Sequence, residues 1–197
     1  MIRTLSIDTP HGRLHGRLEL PESPRGLVLI ARALRAPVDT IVAGRLAARG
    51  YAVLIMELLT TQEAQFVDAT QNVPRLAQRL ISLLDLVRDD GDTENLPLAI
   101  YALGDSSPAA LRAAAQRDAQ VRALACHGGL LDHAGLQSLT LNQAPLLMLI
   151  DTTDQTGQTA WQRTAAHLQC AHEMHVLGPL EDPVTHIASW FSAHMGG

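Results

Sequence analysis

The chain has 197 residues, of which 47% are hydrophobic and 18% charged, with a formal net charge of −5. That apolar content excludes disorder, and the length suits one domain, residues 1–197, with a sizeable core. The acidic balance and the lack of a clustered basic face exclude a general nucleic-acid binder, and no apolar run approaches the ~20 residues that cross a bilayer.

From the N-terminus, "MIRTLSIDTPHG" lacks the apolar core and cleavage site of a secretory signal. "RTLSID" and "GRLHGRLEL" alternate apolar and polar residues around "TPHG", which predicts an antiparallel hairpin with one solvated face. Continuously apolar runs follow at 26–31, 51–58, 97–104, 121–129 and 144–151, with a weaker one at 173–178; these read as strands buried on both faces. Helical patterns at 38–49, 74–88, 108–117, 159–168 and 183–194 alternate with them. Pro74, Pro108 and Pro183 stand at first helical turns, where a missing N–H costs nothing. The order predicts a doubly wound, mostly parallel α/β sheet with an N-terminal antiparallel hairpin and helices on both faces, a three-layer α/β/α arrangement. The acidic "DDGDTE" reads as a solvated loop. Cys126 and Cys170 have no framework spacing and read as reduced thiols, so a cytoplasmic protein is expected.

In such a sheet, functional groups gather beyond the carboxyl ends of the strands. There "GDSSP" nearly reproduces the G-x-S-x-G turn that carries a nucleophilic serine, with Pro108 in place of the last glycine. Ser106 is the candidate nucleophile, and the Ser107 N–H the candidate oxyanion donor. The competing reading makes Ser106 a helix cap ahead of Pro108. Cys170, His172 and His175 have metal-binding chemistry, but they straddle a helix end and a strand that points His172 and His175 to opposite faces, so no metal is expected. No Gly-rich phosphate loop, dinucleotide fingerprint or Walker pattern occurs, and no cofactor is expected.

Together with the element order, "GDSSP", "LACHGGLLDHAG", "APLLMLIDTTD" and "MELLTTQEAQ" resemble the dienelactone-hydrolase-like group of small α/β-hydrolases, over nearly the whole chain from Gly26 onward. The resemblance implies an α/β-hydrolase fold, a serine–acid–histidine triad in that chain order, and ester or related acyl chemistry on a small-molecule substrate. It places the nucleophile at Ser106, where the dienelactone hydrolases proper use cysteine, and the acid at Asp154, with Asp151 as the nearby alternative. The histidine falls near Glu181 or Asp182, in "GPLEDPVTH", or is deleted. His127, at the end of the strand beside the nucleophile strand, is the substitute base; its other reading is support for the "HGG" turn. His186 reads as a helix residue and His133 as loop surface. Where relatives carry a His-Gly segment for the second oxyanion donor, this chain has Arg32 and Ala33. Arg32 or Arg35 would suit an anionic ligand. Two functions follow as expectations: a small serine esterase acting through Ser106, or a catalytically impaired protein of the same fold that binds a small ligand or a protein partner.

Overall fold

The computed structural model describes residues 1–34 and 36–196; Arg35 lies outside them. Strands β1 (Ile2–Thr9) and β2 (Gly12–Glu19) form the expected antiparallel hairpin, and β1 alternates exposed with half-buried residues along its length. The remaining strands are β3 (Leu27–Arg32), β4 (Ala52–Glu57), β5 (Leu98–Leu103), β6 (Val121–His127), β7 (Leu146–Asp151) and β8 (His172–Leu177). They build one eight-stranded sheet in the order β1-β2-β4-β3-β5-β6-β7-β8, antiparallel between β1, β2 and β4 and parallel from β4 to β8.

Both faces of the central strands are covered, which is why they read as unbroken apolar runs. Val28, Ile30, Val53, Ile55 and Tyr101 pack under α1 (Pro37–Ala47) and α6 (Pro183–Met195). Leu29, Leu54, Met56, Ile100 and Cys126 pack under α2 (Val73–Arg88) and α3 (Ser107–Gln116). Helix α2 buries Leu76, Leu80, Leu83, Leu84 and Val87, the stripe its sequence spacing predicts. Each such side chain is worth ~1.5–3 kcal/mol when removed from water. Helix α3 presents Ala109, Ala110, Ala113 and Ala114, all fully buried, so it lies close beneath the end of β5.

Two helices differ from the sequence expectation. The helix predicted at 159–168 is α5 (Gln155–Ala165) and starts four residues earlier, because Asp154 caps it: Asp154 Oδ1 accepts the Gly157 N–H at 2.8 Å. The short α4 (Leu136–Leu141) has no predicted counterpart; it buries Leu139 and is too brief for a periodic signal. Cys126 and Cys170 are both free and buried, and burial pushes the Cys126 thiol up to about 12. Among the described residues no helix is long and apolar enough to cross a membrane.

The connection from β4 to α2 is pinned by a buried ion pair. Arg79 donates from both terminal nitrogens to the Glu63 carboxylate, at 2.5 and 2.6 Å, and also to the Leu58 carbonyl. The Thr60 N–H and hydroxyl complete the carboxylate's bonding.

Candidate functional site at the carboxyl edge of the sheet

At the end of β5 the chain enters α3 through a single tight turn, Gly104–Asp105–Ser106. The residue with left-handed backbone is Gly104, at φ +55°, and no described non-glycine residue has a positive φ. A side chain at 104 would meet no heavy atom within 4 Å, so this position opens outward from the sheet edge. In a strand-to-helix nucleophile turn, the strained tip carries the reactive side chain, with small residues flanking it. Centred on its tip, the turn here reads Ala102–Leu103–Gly104–Asp105–Ser106. A glycine stands at the tip.

The structure therefore does not place Ser106 where a nucleophile stands. It lies two residues past the tip, with φ −81° and 0% exposure. Its Oγ is 2.7 Å from the Ala31 carbonyl oxygen and 2.8 Å from that of Leu103, and it accepts the Leu103 N–H at 3.2 Å. Nor does it cap α3 through its side chain. The hydroxyl ties the end of β5 to β3. Ser107 departs from expectation for a similar reason: its N–H donates to the Gly104 carbonyl and its Oγ to the Gly128 carbonyl at 2.8 Å, so both donors are used inside the turn.

The other predicted residues make no hydrogen bond to Ser106 and have settings of their own. Asp154 is occupied in capping α5. Ala33 is buried in the bend after β3. Arg32 ends β3 and donates from Nε to Asp39 Oδ1 at 2.8 Å; that carboxylate is buried, and its other oxygen accepts the Ala36 N–H. The pairing neutralises the cation that was expected to attract an anion. His133 is exposed.

His127 has partners of its own. The parallel register sets it beside Leu103 on β5 and Leu149 on β7. Its Nδ1 lies 3.1 Å from the Tyr101 hydroxyl and its Nε2 lies 3.1 Å from Asp151 Oδ1. Burial pushes the Tyr101 phenol well above its ordinary range, so it keeps its proton. A phenol donating to Nδ1 leaves the ring proton on Nε2, aimed at Asp151, whose side chain is 63% exposed. The result is a Tyr–His–Asp chain at the sheet edge, one strand over from the tip. His127 and Asp151 are among the residues expected from the sequence; Tyr101 is not, because it lies within an unbroken buried strand. The "HGG" turn after β6 also braces the elbow: a Cβ at Gly129 would lie 2.1 Å from the Gly104 carbonyl oxygen.

The histidine position of the triad is absent as a loop. Between β8 and α6 only Gly178–Asp182 intervene, and Asp182 caps α6 through the Val184 N–H. Glu181 fills the shortened turn and holds His175 and His186 rather than facing Ser106.

This sheet order, with its antiparallel start and tight β5–α3 turn, defines the α/β-hydrolase fold, in the form shared with dienelactone-hydrolase-like proteins. The crystal structure of a dienelactone hydrolase from Anabaena variabilis superposes with a TM-score of 0.87 at 26% identity, covering 99% of this chain and 98% of that one. A cold-adapted esterase from an Arctic intertidal metagenomic library gives 0.74 at 13% identity, over 98% and 93% of the two chains, a likeness of fold. Two Mycobacterium tuberculosis sequences that bear the name "Putative phosphoribosyl transferase" are each 31% identical, over 92% of this chain. The chain spans only 44% of those relatives' length. No protein-family model matches the chain.

Proposed function

We propose that this protein is a catalytically impaired α/β-hydrolase-like binding protein, which receives a small polar ligand at the carboxyl edge of its sheet. The observation that carries this reading is the elbow: glycine at the tip, and the nearest serine buried and bonded to two backbone carbonyls. A nucleophile needs a hydroxyl within reach of both substrate and base. Bringing Ser106 out would break its bonds to Ala31 on β3 and to Leu103 on β5 together. The Tyr101–His127–Asp151 chain suits ligand binding, since it holds the exposed Asp151 carboxylate in place as an acceptor at the sheet edge. Because Arg32 is paired with Asp39, an uncharged polar ligand fits better than an anion. Phosphoribosyl transfer, the name borne by the longer mycobacterial relatives, is not proposed for this chain.

A second reading, a serine esterase acting through Ser106 with His127 as base, is favoured by the esterases among the structural neighbours. Turnover of p-nitrophenyl acetate separates the two. The proposal expects a rate for the wild-type protein indistinguishable from its Ser106→Ala and His127→Ala variants. The esterase reading requires a fall of roughly 10³-fold or more in Ser106→Ala. A thermal-shift screen of small lactones, esters and polyols tests the binding side, and a stabilisation lost in His127→Ala marks the site. A screen in which no compound stabilises the wild type would count against a ligand at this edge.

A further inference from the structure

We propose that His175, Glu181 and His186 form a binding site for one divalent transition-metal ion of the zinc class. The site is independent of the elbow and of the ligand reading above. It is built by three short pieces of chain that the shortened turn forces together. His175 is the fourth residue of the edge strand β8, and His186 lies in the first turns of α6. Glu181 sits in the five-residue connection, where the Gly178 N–H holds its Oε2 at 2.9 Å and turns Oε1 toward the histidines.

Three donor atoms then converge. His175 Nε2 lies 2.7 Å and His186 Nε2 2.6 Å from the same oxygen, Glu181 Oε1, and all three donors lie within 4.8 Å of one another. The two imidazoles stack, with ring centroids 3.9 Å apart and planes 28° apart. Zinc bonds of ~2.0–2.2 Å in a tetrahedron set donors roughly 3.4 Å apart. Widening the two N–O contacts by about 0.7–0.8 Å therefore admits an ion, and each of the three side chains is about one-third exposed, with room to shift.

Charge favours the same occupant. Without an ion, both imidazole Nε2 atoms converge on one carboxylate oxygen, with the ring centroids stacked 3.9 Å apart. One dication would satisfy both imidazole lone pairs and the carboxylate at once. The Gly178 N–H fixes one carboxylate oxygen, so the other is presented to both rings at once. Two imidazoles with one carboxylate suit zinc, copper, nickel or cobalt, whereas calcium and magnesium prefer oxygen donors. Three protein donors leave one coordination position for water or a ligand atom. Beside the cluster runs a groove of about 310 Å³, lined in part by Met174, Ser189 and Trp190, from which such a ligand would approach.

The test is calorimetric titration of the chelator-stripped 197-residue chain with zinc chloride, backed by competition with a chromophoric chelator. The expected result is one equivalent of Zn²⁺ bound at micromolar affinity or tighter, with magnesium and calcium far weaker. His175→Ala, His186→Ala and Glu181→Gln should each weaken binding by about tenfold or more, since loss of even a partner that only orients a ligand costs about 10–100-fold, while His11→Ala on the distant hairpin changes nothing. Circular dichroism checks that the variants are folded. If one is not, imidazole ¹H–¹⁵N spectra of the wild type replace it, and zinc should shift only the His175 and His186 ring signals. The absence of saturable one-to-one binding would overturn the proposal, as would binding that survives in the His175→Ala/His186→Ala double variant or ring shifts at other histidines.

Discussion

Replacing Gly129 with alanine is expected to destabilise the protein by about 3 kcal/mol or more, and to loosen the elbow before anything else. The residue has φ +90°, where a side chain is strained, and its new Cβ would sit 2.1 Å from the Gly104 carbonyl oxygen and 3.0 Å from Ser107 Cβ. The first effect costs ~1–3 kcal/mol and overpacking a similar amount. The Gly104 carbonyl cannot retreat cheaply, because it accepts the Ser107 N–H that starts α3. Gly128 supplies the control. It has φ +70° but nothing within 4 Å of its would-be Cβ, so Gly128→Ala carries only the conformational cost of ~1–2 kcal/mol. At ~2–4 °C per kcal/mol in a chain of this size, thermal unfolding resolves the two variants readily. Equal losses would show that "HGG" does not brace the turn by contact.

Arg79→Met is expected to cost about 3–5 kcal/mol, the range for breaking a buried ion pair on one side. It leaves Glu63, only 3% exposed, with the Thr60 donors and the more distant Arg75. The Arg79 guanidinium holds the Glu63 carboxyl at about 2, below its ordinary 4.5. A lowered carboxyl contributes stability that is present above the unfolded value and lost as pH falls toward the folded one. Wild-type stability from this pair should therefore decline between about pH 4.5 and 2. Without Arg79 the largest lowering influence on the carboxyl is gone, and burial works against the remaining Thr60 bonds, so the variant should lose less stability on acidification than the wild type does. Urea unfolding at pH 7 and pH 3 measures both effects. A variant that keeps the wild-type slope would mean that Glu63 is not the group responsible.

The fold was legible because each central strand is apolar without a break and each long helix repeats its apolar stripe; those patterns depend on burial, which the sheet enforces. Prolines at helix starts added the boundaries. The site was less legible, since its meaning depends on a register of two residues. "LGDSSP" offers a serine two places after a glycine, which satisfies the expected motif when Gly104 is taken as its first glycine. Only the backbone shows that Gly104 is the tip, because the left-handed conformation is a property of the turn and not of any spacing. Tyr101 was hidden by sharing a strand with Leu98, Ala99 and Ile100, while its hydroxyl reaches across to β6. The His175–Glu181–His186 cluster was hidden for another reason. The shortened loop read as the loss of a histidine, and what the shortening brings together lies on a strand, a turn and a helix.

The central claim is that Ser106 is a structural hydroxyl beneath a turn whose tip has no nucleophile. Incubation with a fluorophosphonate probe between pH 6 and 9, followed by intact-mass measurement and peptide mapping, tests it most directly. No adduct is expected at position 106, in the wild type as in Ser106→Ala. A stoichiometric adduct mapped to Ser106 and absent from the variant would contradict it.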